Sequence, residues 1–180
     1  MCYFGKRADS VSLFINYEHN RIRAGFSLSS GKGTGEKKMK ENLKKVRDFF
    51  KDDIYADATT GIQIEDADNY FAVCSLFTEE KHSNATGAVQ GGAIYTLADY
   101  CFAVAANAKS IIENGHPNTV TLTANISYFR PARPGVKLIA TAKCVKNGKT
   151  ACYYEVNITE AGNTEKIISS AVINGIVTDR

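Results

Sequence analysis

The sequence predicts an α+β fold in which a curved antiparallel sheet wraps around one long buried helix, and three observations carry that expectation. Residues 91–112 read as a long helix that is apolar or small on every face from Tyr100 to Ala106, and such a helix must be covered all round. Residues 119–128 alternate strictly between apolar and polar side chains, the period of a half-buried strand. Two further strand-like runs flank Lys146-Asn147-Gly148-Lys149, where Asn-Gly suits a hairpin turn that needs positive φ at both central positions.

The 180 residues, 44% hydrophobic and 23% charged, fit one domain large enough to bury most of its apolar surface. The formal net charge of +3 is spread among both signs, which favours solubility and an anionic ligand over nucleic acid. No apolar run is long enough to span a bilayer, and Met1 to Arg7 leads into no signal-peptide core. A cytoplasmic protein without membrane association is expected, and the sequons at Asn84, Asn125 and Asn157 are then chance matches. The five cysteines are odd in number and lack C-x-x-C spacing, so they read as reduced core thiols. His19, His82 and His116 show no ligand spacing with them, and neither a metal nor a cofactor is expected.

Residues 1–38 show no sustained periodicity, and Ser29 to Gly35 has linker composition. Gly31-Lys32-Gly33-Thr34 lacks the spacing of a phosphate loop. The run Gly35-Glu36-Lys37-Lys38-Met39 is what a purine-rich ribosome-binding site would encode. Residues 1–38 therefore read as an unstructured leader or a mis-called start, and 39–180 as the folded domain. An amphipathic helix over 39–51 places Leu43, Val46 and Phe50 on one face. Residues 61–66 and 70–77 read as two short strands joined near Asp66-Ala67-Asp68-Asn69. The long helix follows, its alanines allowing close approach of the sheet, and Asn114-Gly115-His116-Pro117 stops it. The remaining strands, 119–128, 137–145, 150–159 and 166–177, are expected as a four-stranded meander. One helix cannot cover both faces of such a sheet, so exposed edges should be closed by subunit pairing.

Chemistry concentrates on the long helix. Gln90-Gly91-Gly92 opens it, and paired glycines there leave backbone N–H groups sterically open to an oxyanion, reinforced by the helix dipole. Asp99 interrupts an otherwise apolar segment, where desolvation would raise its basicity and suit it to activate water or attack a carbonyl. Taken alone, the glycines could be a turn and Asp99 a solvent-facing or structurally paired residue.

The stretch from His82-Ser83-Asn84 through Gly91-Gly92-Ala93 to Leu97-Ala98-Asp99, with Asn125-Ile126-Ser127-Tyr128-Phe129-Arg130-Pro131-Ala132, resembles the phenylacetate-pathway-type (PaaI-like) branch of the hotdog-fold acyl-CoA thioesterases. The resemblance extends over roughly residues 39–178. It implies that Asp99 is the base or nucleophile, that Asn84 binds the water or the thioester, that the Gly91 N–H polarises the carbonyl, and that Thr121 assists. Gln90 departs from the more common His before the glycines, and its amide can only hydrogen-bond. Gly92 and His82 fall beside the expected substrate site. Arg130, Arg133, Lys146 and Lys149 are candidates for the phosphates of coenzyme A.

The implied activity is hydrolysis of an acyl-CoA thioester to free acid and coenzyme A, by a dimer or a dimer of dimers. Hydration or dehydration of acyl thioesters on the same fold is a competing enzyme class, although its usual His and acidic pairing is not evident. A non-catalytic acyl-CoA sensor is a competing binding class, although no helix-turn-helix pattern precedes Met39. The acyl group is not legible.

Overall fold

The computed structural model describes residues 32–178, so the leader expected over residues 1–38 lies outside the described residues as far as residue 31, and residues 32–38 are helical rather than unstructured. Helix α1 (Lys32–Phe50) starts upstream of Met39. Val46 and Phe50 are buried and Leu43 packs against the core, while the lysines between them face water, the amphipathic division the spacing implied. Its end is fixed by aromatic contact: the Phe50 ring meets Tyr100 edge-on, with centroids 5.5 Å apart. A short π-helical turn (Tyr55–Thr60), closed by Gly61 at φ 81°, then delivers the chain to the sheet.

Six antiparallel strands follow: β1 (Ile62–Asp68), β2 (Phe71–Phe77), β3 (Thr119–Tyr128), β4 (Lys137–Asn147), β5 (Ala151–Glu160) and β6 (Asn163–Val177). Helix α2 (Gly91–Asn114) lies between β2 and β3 in sequence, and Gly115 at φ 80° stops it as expected. The sheet order is β1-β2-β4-β5-β6-β3, which corrects the expected four-stranded meander. β3 pairs with β6, and β4 pairs with β2. Residues 129–136, with Pro131 and Pro134, are too long and too proline-rich for a tight hairpin. They carry the chain across the sheet instead.

The sheet curls around α2, and the small side chains of the helix permit the approach. Ala98, Cys101, Ala105 and Ala108 are buried against it. At Gly175 on β6 the fit is closest: a Cβ there would lie 2.7 Å from Thr119 Cγ2 and 2.8 Å from Phe102 Cζ, so only glycine lets this strand pass the Phe102 ring. The expectation that the helix is buried on all sides is corrected on one face. Gly92, Thr96, Asp99 and Ala103, at helical spacing, form a stripe that the sheet leaves partly open.

β3 is the outermost strand on the side of that stripe, and it does not keep one phase. A bulge between Thr121 and Thr123 shifts its register against β6. Before it Thr119 and Thr121 pair with Val177 and Gly175; after it Ala124 and Ile126 pair with the buried Ile173 and Ala171. The inward face thus changes from the threonines to the apolar residues at Leu122. Val120 and Leu122, expected inside, are 47% and 58% exposed. Leaving them out forgoes roughly 1.5–3 kcal/mol each relative to full burial.

Candidate active site

The bulge in β3 makes the central contact of the site. It turns the Thr121 hydroxyl towards α2, where it donates to Asp99 Oδ1 at 2.9 Å. Asp99 is half-buried on the open stripe, so one carboxylate oxygen is oriented by the threonine while the side chain stays reachable from beyond the β3 edge. At the far end of the same strand the Tyr128 hydroxyl donates to the Gly91 carbonyl at 3.0 Å. Burial, and then the neighbouring Tyr95, raise the Tyr128 hydroxyl above the usual tyrosine value, so it remains a donor at neutral pH. Tyr128 was legible as a strand residue but not as one that seats the helix N-terminus. No alternation pattern announces a contact across 37 positions.

The first turn of α2 divides its free N–H groups between two uses. Gln90 caps the helix: its Oε1 accepts from Gly92 N–H at 2.5 Å, while the Gln90 carbonyl accepts from Ala93 and Ile94. Among the described residues nothing accepts from the Gly91 N–H. That N–H, at the positive end of a 24-residue helix, is what an oxyanion requires. Gly91 and Asp99 are eight residues apart, roughly 12 Å along the axis at about 1.5 Å per residue.

The loop entering the helix is held by side chains that the sequence reading assigned to substrate. Asn84 Oδ1 accepts from Thr86 N–H at 2.9 Å, Thr86 Oγ1 at 2.7 Å and Ala88 N–H at 3.2 Å, so its oxygen organises the turn through Gly87 (φ 77°) and its NH₂ group is the part left for a ligand. His82 is buried rather than displayed. Its Nδ1 accepts from Glu79 N–H at 2.8 Å, which leaves Nε2–H to donate to the Thr60 carbonyl at 2.9 Å. With both nitrogens engaged, the ring pins the loop to the π-helical turn. The His82 carbonyl in turn accepts from Gln90 N–H at 2.7 Å.

The four basic candidates fall into two groups. Val89 N–H bonds the Ala132 carbonyl, which sets the segment carrying Arg130 and Arg133 beside the N-terminus of α2. Arg130 Nη1 donates to the Ile167 carbonyl at 3.0 Å. Lys146 and Lys149 are exposed on the β4–β5 hairpin, whose Asn147 and Gly148 face Asn114 and Asn118 across a cleft of about 220 Å³ at the other end of the helix. One chain does not bring these cations together. Among the described residues no group of His, Cys, Asp or Glu could hold a metal ion, and no helix is long and apolar enough to cross a membrane. Cys74, Cys101, Cys144 and Cys152 are free thiols.

Comparison with known proteins places this geometry. The family model described as Thioesterase superfamily matches residues 86–167, from the turn below Asn84 through β3 into β6. Human acyl-coenzyme A thioesterase 13 is 35% identical over 97 residues, which cover 54% of this chain and 66% of that protein, just under two thirds of its length. A candidate esterase of Deinococcus radiodurans is 31% identical over 120 residues, covering 67% of this chain and 75% of that one. In three dimensions the Escherichia coli PaaI protein of the phenylacetic acid degradation operon superposes with a TM-score of 0.68 over 78% of this chain and 96% of its own, at 23% identity. With a six-stranded sheet curled round one long helix, the chain has the hotdog fold of that PaaI protein; its residues 86–167, which hold Gly91, Asp99 and Thr121, match the Thioesterase superfamily, and the chain belongs to one family with the Deinococcus esterase.

Proposed function

We propose that this protein hydrolyses acyl-CoA thioesters, with Asp99 as the reacting carboxylate and the Gly91 N–H as the oxyanion donor. The observation that carries the reading is the Thr121–Asp99 hydrogen bond on the one open stripe of α2. The hydroxyl holds Oδ1 and leaves Oδ2 for the reaction. There Asp99 either takes a proton from water as the water oxygen attacks the carbonyl, or attacks the carbonyl itself to form a mixed anhydride that water then cleaves. In both routes the C–S bond breaks and coenzyme A leaves as a thiolate that takes up a proton. The oxyanion is met by a backbone N–H, with the Asn84 amide orienting the water or thioester.

Both groups must lie roughly 3 Å from one carbonyl, and about 12 Å of helix separates them in one chain. An Asp side chain cannot close that gap. The site is therefore shared by two copies, with Asp99 of one against the helix N-terminus of the other, and two equivalent sites per two-fold. The same two-fold runs the two long helices antiparallel, and so brings Arg130 and Arg133 onto the side of the partner's Lys146 and Lys149, where a polyphosphate could be met from both copies.

The test is thiol release from a panel of acyl-CoA substrates, aromatic, short-chain and medium-chain, by the native protein and by Asp99→Asn. The variant is expected to fold and to turn over about a hundredfold more slowly or worse. Near-native turnover by the folded variant would refute the role of Asp99. Tight acyl-CoA binding by the native protein without thiol release would make it a sensor, and acyl-chain hydration without thiol release would make it a hydratase.

A further inference from the structure

We infer that Asn107 is a positioning residue for the reaction: it sets the phase in which β3 starts, and thereby turns the Thr121 hydroxyl onto Asp99. This rests on the catalytic reading above. Asn107 lies on α2, 3% exposed, and every hydrogen-bonding site of its amide is used. Nδ2 donates to the carbonyls of Ala103 and Thr119, each at 3.0 Å. Oδ1 accepts from the N–H groups of Asn118 and Thr119, each at 2.9 Å. An amide offers two donors and two acceptor lone pairs. Three of these four bonds go to Thr119, the first residue of β3, and to Asn118 just before it, so Asn107 acts on the start of β3 as a neighbouring strand would.

The apolar pattern opposes that arrangement. Strict alternation would turn Val120, Leu122, Ala124, Ile126 and Tyr128 inward together, burying two side chains that are now exposed and pointing Thr121 away from the helix. The observed strand instead starts with Thr119 inward, keeps Thr121 inward, and changes phase at Leu122. Asn107 holds the residue two positions before Thr121, at the point where the phase is chosen. The carbonyl of Asn118 is fixed as well, by Thr178 N–H at 2.7 Å, so both flanks of this junction are pinned. An apolar residue at 107 would fit the buried site by size but would not favour either phase.

The experiment is a double-mutant cycle on the full chain with Asn107→Leu and Thr121→Ala, read as kcat and KM, with hydrogen exchange followed at the Asn118 and Thr119 amides. Asn107→Leu is expected to lower kcat roughly tenfold, as a displaced catalytic contact does, with KM within about twofold of native and faster exchange at both amides. Combined with Thr121→Ala it should add nothing, because its effect passes through that hydroxyl. Multiplicative losses, or an unchanged kcat in Asn107→Leu, overturn the inference while the role of Thr121 stands. A Thr121→Ala variant with native kcat sinks the role of Thr121 and the inference together. If Asn107→Leu does not fold, Asn107→Ser takes its place in the same cycle with the same criteria.

Discussion

The two edges of the sheet are built on the same principle and finished differently. At the β1 edge a bulge between Ile64 and Asp66 breaks the ladder, and α1 closes what remains: Arg47 Nε donates to the Ile64 carbonyl at 2.9 Å, and Nη2 donates to the carbonyls of Ile64 and Glu65. Val46 and Phe50 pack beneath it. At the β3 edge there is also a bulge, yet among the described residues no element covers it, and Val120, Leu122, Tyr128 and Phe129 are exposed along it. A bare, apolar edge strand is a liability unless something pairs with it. The closed edge carries no candidate chemistry, while the open one carries Thr121 and Tyr128 and borders the stripe with Asp99. What the contrast teaches is that the chain finishes its sheet by itself on one side and leaves bare the side that borders Asp99, the side that the proposed pairing with a second copy would cover.

The largest expected effect comes from separating the two halves of the proposed site. Asp99→Asn and Asn84→Ala are each expected to be impaired, the latter also through the turn that Asn84 Oδ1 holds. When the two are mixed and allowed to exchange subunits, half of the dimers are mixed, and each of these has one doubly damaged site and one intact site. Roughly a quarter of native activity should return. Verified exchange with no recovery would mean that both groups act within one chain, and the open edge would have lost its catalytic meaning.

Leu122→Lys places a charge on the bare edge of each copy. Leu122 is 58% exposed in the single chain, so the fold itself should change by less than about 0.5 kcal/mol, while like charges facing across a two-fold should drive the protein to monomers and lower activity about tenfold or more. Sedimentation and thiol release check both. A dimer with full activity would show that pairing does not use this edge. Arg47→Ala is the matching change on the closed edge. Losing its bonds to the part-buried Ile64 carbonyl and the exposed Glu65 carbonyl should cost about 1–3 kcal/mol, seen as a melting temperature several degrees lower, with the oligomeric state unchanged.

The comparison also shows what the sequence could and could not reveal. The elements that local period marks were legible: the α1 face through Leu43, Val46 and Phe50, the long helix and its stop at Gly115, and the six strands to within a few residues. The position of β3 was not, because neighbours in sequence are a sound default for neighbours in a sheet, and only the length and prolines of residues 129–136 hinted otherwise. Asp99, Gly91 and Thr121 were picked out by residue type and family resemblance. That Thr121 faces Asp99 contradicts its alternation pattern, since a bulge leaves no periodic trace. The contacts of His82 were not legible for a similar reason: its partners are backbone atoms, one of them 22 positions away at Thr60, and backbone atoms have no residue type to recognise.

The smallest effect is expected from removing the chain before Met39. The structure begins α1 at Lys32, but every group by which the helix closes the β1 edge lies later: Leu43, Val46, Arg47 and Phe50. Residues 35–38 are exposed, and their contribution is a Glu36–Lys40 ion pair of 2.9 Å whose side chains are 65% and 77% exposed, a kind of pair that adds little in water. Isolated helices of this length are marginal, so the stability of α1 derives from its packed face rather than from its upstream turns. A chain starting at Met39 should therefore keep the oligomeric state of the full chain and its kcat within about twofold, with a melting temperature within about 2 °C of the full chain. Thermal melting, sedimentation and thiol release on the two proteins side by side make the check. A large drop in melting temperature would mean that closure of the β1 edge extends upstream of Leu43. A loss of activity at unchanged stability would mean that the upstream segment reaches the open edge instead, and the division of labour between the two edges would have to be redrawn.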